Sequence, residues 1–93
     1  MQLSDRFAAS EDVVARQMEG ETVLLDLNSG LYFGLDPVGG RIWELLAGQP
    51  HTLGDIADRI EDEFDAPRDR IANDLIALAK ELRERELIVP HGA

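Results

Sequence analysis

The hydrophobic pattern of the chain changes its period at Asp36-Pro37, and this change constrains the fold more than any other feature. Before it, apolar residues alternate as in β-strands. After it, they recur at three- and four-residue spacing, as in amphipathic helices. Asp is a favoured N-cap and Pro suits the first helical position, so a helix is predicted to begin there. A front half of strands and a back half of helices is typical of an α+β domain.

Three short strands are predicted in the front half, at residues 12–18, 22–27 and 31–35. Glu19-Gly20 and Asn28-Ser29-Gly30 are turn sequences, and connections this short join neighbouring antiparallel strands. The predicted sheet is therefore a three-stranded antiparallel meander. Alternation places Val23, Leu25 and Leu27 together on one face of the second strand.

Three helices are predicted in the back half. They cover residues 37–47, the segment from Thr52 to Asp65, and about 67–85. Thr52 and Asp55 have the spacing of a capping box. Gly39-Gly40, in the first turn of the first helix, indicates close backbone packing. Three helices after a small sheet predict a winged helix-turn-helix-like arrangement.

Length and charge limit the remaining possibilities. A chain of 93 residues fits one domain. Residues 1–11 show no clear period and are expected to form a flexible lead-in, and residues 12–93 are expected to form the single domain. The chain has no cysteine, no signal-like apolar run and no membrane-length apolar segment, so we expect a soluble, cytoplasmic protein. A monomer is expected, although an exposed edge strand leaves self-pairing open.

No set of residues with the spacing of a catalytic or metal site is present. His51 and His91 stand alone and are expected to be solvated loop residues. The carboxylates between Asp55 and Asp65 fall on the solvent face of a helix, where nothing would shift their pKa values for acid–base work. We therefore expect no enzyme activity, no metal and no cofactor.

The net charge of the chain disfavours binding to nucleic acid. The net charge of −10 repels phosphate backbones. The third predicted helix carries basic residues, but acidic residues alternate with them and nearly cancel their charge. Its basic residues are Arg68, Arg70, Lys80, Arg83 and Arg85. A winged-helix DNA-binding protein therefore remains an alternative rather than the preferred interpretation.

The third predicted strand offers a binding surface. In a simple meander it lies at an edge, so its free N–H and C=O groups could pair with an incoming peptide strand. Alternation places Leu31, Phe33 and Leu35 on one face and Tyr32 on the other. The simpler interpretation, which spacing alone favours, makes Phe33 a core residue and Tyr32 a half-exposed surface aromatic.

Four sequence blocks carry a resemblance to a known family. They are VLLDLNSGLYFGLD at 23–36, VGGRIWELL at 38–46, TLGDI at 52–56 and LRERELI at 82–88. In this order and spacing they resemble the PqqD-like family of peptide chaperones, also called recognition elements for ribosomally made and modified peptides. The resemblance covers about residues 12–89. The sequence at 32–36 is similar to that of stand-alone leader-binding proteins in lasso peptide biosynthesis.

The resemblance implies a function and a site. The expected partner is the leader of a precursor peptide, which would add as a strand beside residues 31–35 and be handed to a leader peptidase, a cysteine protease, or another modifying enzyme. The implied peptide-binding residues on the strand are Leu31, Tyr32, Phe33, Gly34 and Leu35. Those on the third helix are Arg70, Asp74, Ala77, Leu78 and Glu81. Leu78 could equally be a core residue, and the charged residues could be plain solvated surface.

Two departures from the family keep alternatives open. PqqD proteins that serve a radical-SAM enzyme usually have Asn where this chain has Asp36, which favours the lasso type over a PqqD-type chaperone. The family usually has Gly where this chain has Glu86, so the end of the third helix is uncertain from sequence. A structural subunit that stabilises an enzyme without touching the peptide is a third possibility.

Overall fold

A computed structural model describes residues 1–92 as two three-stranded sheets and three helices. The strands are β1 (Arg6–Ala9), β2 (Val13–Met18), β3 (Glu21–Asp26), β4 (Tyr32–Leu35), β5 (His51–Thr52) and β6 (Ile88–Pro90). The helices are α1 (Pro37–Gly48), α2 (Leu53–Glu63) and α3 (Arg68–Glu84). The predicted α+β class, three antiparallel strands followed by three helices, is confirmed. The winged-helix description applies only loosely, because a second small sheet is part of the fold.

The larger sheet has the order β2-β3-β4 and is antiparallel throughout, as the two turn sequences predicted. Glu19 and Gly20 both have positive φ, 52° and 84°, the backbone of a tight hairpin turn with right-handed strand twist. Gly30 takes a φ of 76° before β4. Strand β4 is an edge of this sheet, as expected from the meander.

One face of this sheet packs on the helices. Leu24 is completely buried and Leu35 nearly so, and both belong to the main core. Gly40 in the first turn of α1 lies against Thr22, whose side chain fills the space that a Cβ at Gly40 would need. The close backbone packing predicted for the paired glycines is therefore confirmed at Gly40.

The starts of α1 and α2 are capped as the sequence predicts. The Asp36 carboxylate accepts a hydrogen bond from the amide of Gly39 at 2.7 Å, and Pro37 occupies the start of α1. The Thr52 hydroxyl accepts from the amide of Asp55 at 3.1 Å. Side-chain oxygens at these positions satisfy amides that have no partner within the helix.

The expectation of a flexible lead-in over residues 1–11 is wrong for Arg6–Ala9. This segment forms β1, the central strand of the second sheet, between β5 and β6. Its Phe7 is buried in the main core. The segment is too short to show a period, and both of its partners lie far away in sequence, so local pattern could not reveal it.

His51 is also not the solvated loop residue that was expected. It lies in β5 opposite Phe7 and is only 6% exposed. Its Nδ1 lies 2.8 Å from the Gln49 carbonyl and therefore donates to it, while its Nε2 lies 3.3 Å from an Asp55 carboxylate oxygen without making a hydrogen bond. His91 is exposed, as expected.

Helix α3 ends in a Schellman motif. The amide of Leu87 donates to the carbonyl of Leu82 at 2.9 Å, and the amide of Glu86 donates to that of Arg83 at 3.0 Å. Glu86 has a φ of 60° at the position that usually holds glycine. The helix therefore ends where the family pattern would end it, with Glu86 in a left-handed conformation.

No helix in residues 1–92 is long and apolar enough to cross a membrane.

Candidate functional site

An open groove of about 670 Å³ runs between β4 and α3. Its walls come from β4, the start of α1, the end of α2 with the following connection, and one side of α3. The lining residues are Phe33, Gly34, Leu35, Asp36, Val38, Gly39, Ile42, Ile60, Phe64, Asp65, Ala66, Arg70, Ile71, Asp74, Leu75, Leu78 and Glu81. A groove beside a sheet edge can hold an extended chain.

The backbone of β4 presents unpaired groups to this groove. The amide of Asp26 donates to the carbonyl of Leu31 at 3.0 Å, which fixes the phase of the ladder between β3 and β4. Antiparallel strands alternate between residues that bond to the neighbour and residues that do not. The N–H and C=O groups of Tyr32 and Gly34 therefore point away from β3. An incoming strand would find two donors and two acceptors there.

The floor of the groove is apolar. Leu35, Ile42 and Leu75 are buried core residues that also line it. Phe33 and Leu78 are half-buried and pack against the core from the groove side. Leu78 therefore packs against the core and also lines the groove.

The rim is mainly acidic. Four carboxylates line the groove, from Asp36, Asp65, Asp74 and Glu81, against one guanidinium, from Arg70. Arg70 and Asp74 face each other at 3.8 Å and both are largely exposed. An exposed pair of this kind contributes little to stability, so both side chains are available to a ligand.

A smaller hollow of about 140 Å³ continues the groove past Phe33, which lines both. Leu31, Tyr32 and Arg85 line it as well. The Arg85 guanidinium lies 4.9 Å from the centroid of the Phe33 ring, a cation–π geometry. The two hollows together follow the whole length of β4.

The structure brings together most of the residues that the resemblance implied. Phe33, Gly34, Leu35, Arg70, Asp74, Leu78 and Glu81 line the larger groove, and Leu31 and Tyr32 line the smaller hollow. Ala77 lines neither, because its position on α3 faces solvent. The sequence did not identify the walls formed by the start of α1 and the connection after α2, nor Arg85. The apolar residues of these walls could be recognised in the sequence only as part of the apolar faces of helices.

No group of His, Asp and Glu side chains in residues 1–92 is arranged to hold a metal ion. The groove itself contains carboxylates, one guanidinium and apolar side chains, with no Ser, Thr, Tyr or His among its lining residues. These groups can hold a peptide by main-chain pairing, apolar contact and charge.

Comparison with known proteins agrees with this geometry. The family model described as "Coenzyme PQQ synthesis protein D (PqqD)" matches residues 21–88. No curated protein matches the sequence. The solved structure "TbiB1 in Complex with the TbiA(beta) Leader Peptide" is 37% identical, has a TM-score of 0.78, and covers 92% of this chain and 99% of that chain.

A second solved structure, "Lasso peptide synthetase B1 complexed with the leader peptide", is 27% identical with a TM-score of 0.77. It covers 90% of this chain and 98% of that chain. The family match spans β3 to the start of β6, and therefore includes the strand edge and the helix that form the groove. The chain belongs to the PqqD family.

Proposed function

We propose that this protein is a non-catalytic binding protein for the leader of a ribosomally made precursor peptide, of the lasso peptide type. The observation that carries the proposal is the free edge of β4 beside an apolar groove of about 670 Å³. Two similar solved structures are described as complexes with leader peptides, which supports this use of the groove.

The leader would bind by strand addition. An extended peptide beside β4 would pair with the outward N–H and C=O groups of Tyr32 and Gly34, extending the sheet by one strand. Main-chain bonds of this kind do not depend on peptide sequence. A leader that is disordered when free must be ordered on binding, at a cost of about 2–5 kcal/mol of the gross interaction free energy.

Sequence preference would come from side chains. Every second residue of the added strand would point into the groove, over Phe33, Leu35 and Leu78. Apolar leader residues fit this floor. Arg70, Asp74 and Glu81 would contact polar leader groups from α3, and Leu31 and Tyr32 would extend the contact surface at the beginning of β4.

Binding at a sheet edge also suits presentation. The leader would be held along β4. The peptide segment that follows it would extend out of the groove, where an enzyme can reach it. The partner enzyme in this proposal is a leader peptidase or another modifying enzyme, and the protein itself contributes no catalytic group. Because the precursor is made at the ribosome, we place this recognition in the cytoplasm.

Titration with a labelled leader peptide, from the precursor encoded beside the gene, tests the proposal by fluorescence anisotropy. We expect saturable binding by the leader, with much weaker binding by the core peptide and by a leader of scrambled order. A folded protein that leaves the leader unbound at about 50 μM would contradict the proposal. The groove would then have to serve a different partner.

A further inference from the structure

The smaller hollow beside the start of β4 has a single cation, Arg85, among its lining residues. Arg85 follows the last turn of α3, and its guanidinium is stacked on the Phe33 ring at 4.9 Å from the centroid. Leu31 and Leu87 are apolar walls of the same hollow. A positive charge held between apolar and aromatic walls favours a ligand group of the opposite charge.

The Arg85 guanidinium has N–H groups available for such a ligand. Its partner Glu81, one turn earlier on α3, lies 3.7 Å away, which is longer than a hydrogen bond. Both side chains are about half exposed, so this contact contributes little to stability. Arg41, by contrast, donates two hydrogen bonds to Glu63. Because a guanidinium carries five N–H donors, Arg85 can bind a further carboxylate while it stays on the Phe33 ring.

The carboxylate in the hollow, Asp26, is engaged by the turn that precedes β4. One of its oxygens accepts from the amide of Asn28 at 3.0 Å, and the other accepts from the hydroxyl of Ser29 at 2.8 Å. A cationic ligand would therefore compete with these bonds and also meet the charge of Arg85. The hollow consequently suits an anionic group better than a cationic one.

A strand added to β4 would bring one of its side chains over this hollow. Its backbone would pair with Tyr32 and Gly34, so the leader residues opposite Leu31 and Phe33 would form the closer pairs that share no main-chain bond. Leu31 lines the hollow, and Phe33 lines both the hollow and the larger groove. Paired residues point to the same face, so the leader side chain opposite Leu31 would lie beside Arg85.

We propose that Arg85 is a specificity-determining residue that recognises an acidic side chain, Asp or Glu, of the leader over the smaller hollow. The inference rests on the proposed function. The guanidinium would donate to the leader carboxylate, and the bound strand would shield this charged contact from water. The larger groove has the opposite preference, because its carboxylates include Asp36, Asp65 and Asp74. The order of charges along the leader would therefore select one direction of strand addition.

Charge reversal on both partners tests this inference. Arg85→Glu is combined with leader variants in which each Asp and Glu in turn is replaced by Lys. Arg83→Glu is the matched control, since it makes the same charge change at an exposed position of α3 that lines neither cavity. Fluorescence anisotropy with the labelled leader of the precursor encoded beside the gene measures affinity, and circular dichroism melts show that each variant is folded.

We expect Arg85→Glu to weaken binding of the unmodified leader roughly tenfold, and Arg83→Glu to change it less than about twofold. At one acidic leader position, replacement by Lys should weaken binding to the unmodified protein. The same leader variant should bind Arg85→Glu to within about threefold of the original affinity. If Arg85 only supported Phe33, no change of charge on the leader would restore binding.

Equal effects of Arg85→Glu and Arg83→Glu, or a loss at Arg85 that no leader position restores, would overturn the inference and leave the proposed function standing. If Arg85→Glu does not fold, a double-mutant cycle with Arg85→Gln and leader Glu→Gln or Asp→Asn variants replaces it, and additive losses at every position would overturn the inference. Absence of leader binding by the unmodified protein would instead contradict the proposed function, and the inference with it.

Discussion

The side chain of Thr22 on β3 occupies the space that a Cβ at Gly40 on α1 would need. Because Gly40 has no Cβ, α1 can pack directly on the sheet, and its first turn forms one wall of the groove. We expect Gly40→Ala to lower the free energy of unfolding by about 1–3 kcal/mol, measured by urea denaturation. Gly48→Ala is the control, as no other atom lies within 4 Å of a Cβ there. Equal losses in both variants would contradict this explanation.

Glu86 provides a prediction of opposite sign. It has a φ of 60° at the end of α3, a conformation that costs a non-glycine residue about 1 kcal/mol or more. We expect Glu86→Gly to raise the free energy of unfolding by about 1 kcal/mol. Glu84→Gly, still within the helix, should lower it by about 1 kcal/mol. A loss of stability in Glu86→Gly would mean that the Glu86 side chain makes a contribution that the backbone does not explain.

Much of the fold could be predicted from the sequence, and the parts that could not depend on distant pairing. Turn chemistry, capping residues and the change of period at Asp36 predicted the order of the β2-β3-β4 sheet and the three helices, because each signal is local. Strand β1 was missed because Arg6–Ala9 pairs with β5 and β6, which lie more than 40 and more than 75 residues further along the chain. His51 was misjudged for the same reason, since its burial depends on Phe7.

The site was only partly predictable from the sequence. The edge position of β4 follows from the meander, so its four residues and the preceding Leu31 could be proposed. Helix periodicity alone does not fix which side of α3 faces the groove, and Ala77 was placed there incorrectly. The sequence of β3 also hid which face of the β2-β3-β4 sheet packs on the core, because Val23, Leu24 and Leu25 are all apolar and alternation does not distinguish the core side from the solvent side.

Acid should weaken the contact between α1 and α2. Arg41 donates to both Glu63 carboxylate oxygens, at 2.7 and 3.0 Å, and these hydrogen bonds hold the pKa of Glu63 below its usual 4.5. The unfolded chain therefore takes up this proton first as the pH falls, and the stability that the pair contributes is lost below about pH 4.5. In thermal melts between about pH 6 and pH 3, we expect the melting temperature of the unmodified protein to fall more than that of Glu63→Gln. Parallel pH profiles for both proteins would rule out the contribution.

The acidic rim predicts salt-dependent selectivity. Since Asp36, Asp65, Asp74 and Glu81 outnumber Arg70, a leader with net positive charge should bind several-fold more tightly at low salt than at high salt. Asp65→Lys should weaken binding of such a leader and reduce this salt dependence. Asp62→Lys, which makes the same charge change outside the groove, should have a smaller effect. Anisotropy titrations at about 50 and 500 mM salt measure the difference.

Strand addition at β4 is the central claim, and Gly34→Pro tests it most directly. Proline removes the outward N–H of Gly34 without removing a bond to β3, and edge strands tolerate proline when the lost N–H faces solvent. Circular dichroism should therefore show a folded protein. Anisotropy with the labelled leader should show at least a tenfold loss of affinity, because the added strand loses a main-chain bond and meets the proline ring. A folded Gly34→Pro protein that binds the leader as tightly as the unmodified protein would contradict the account.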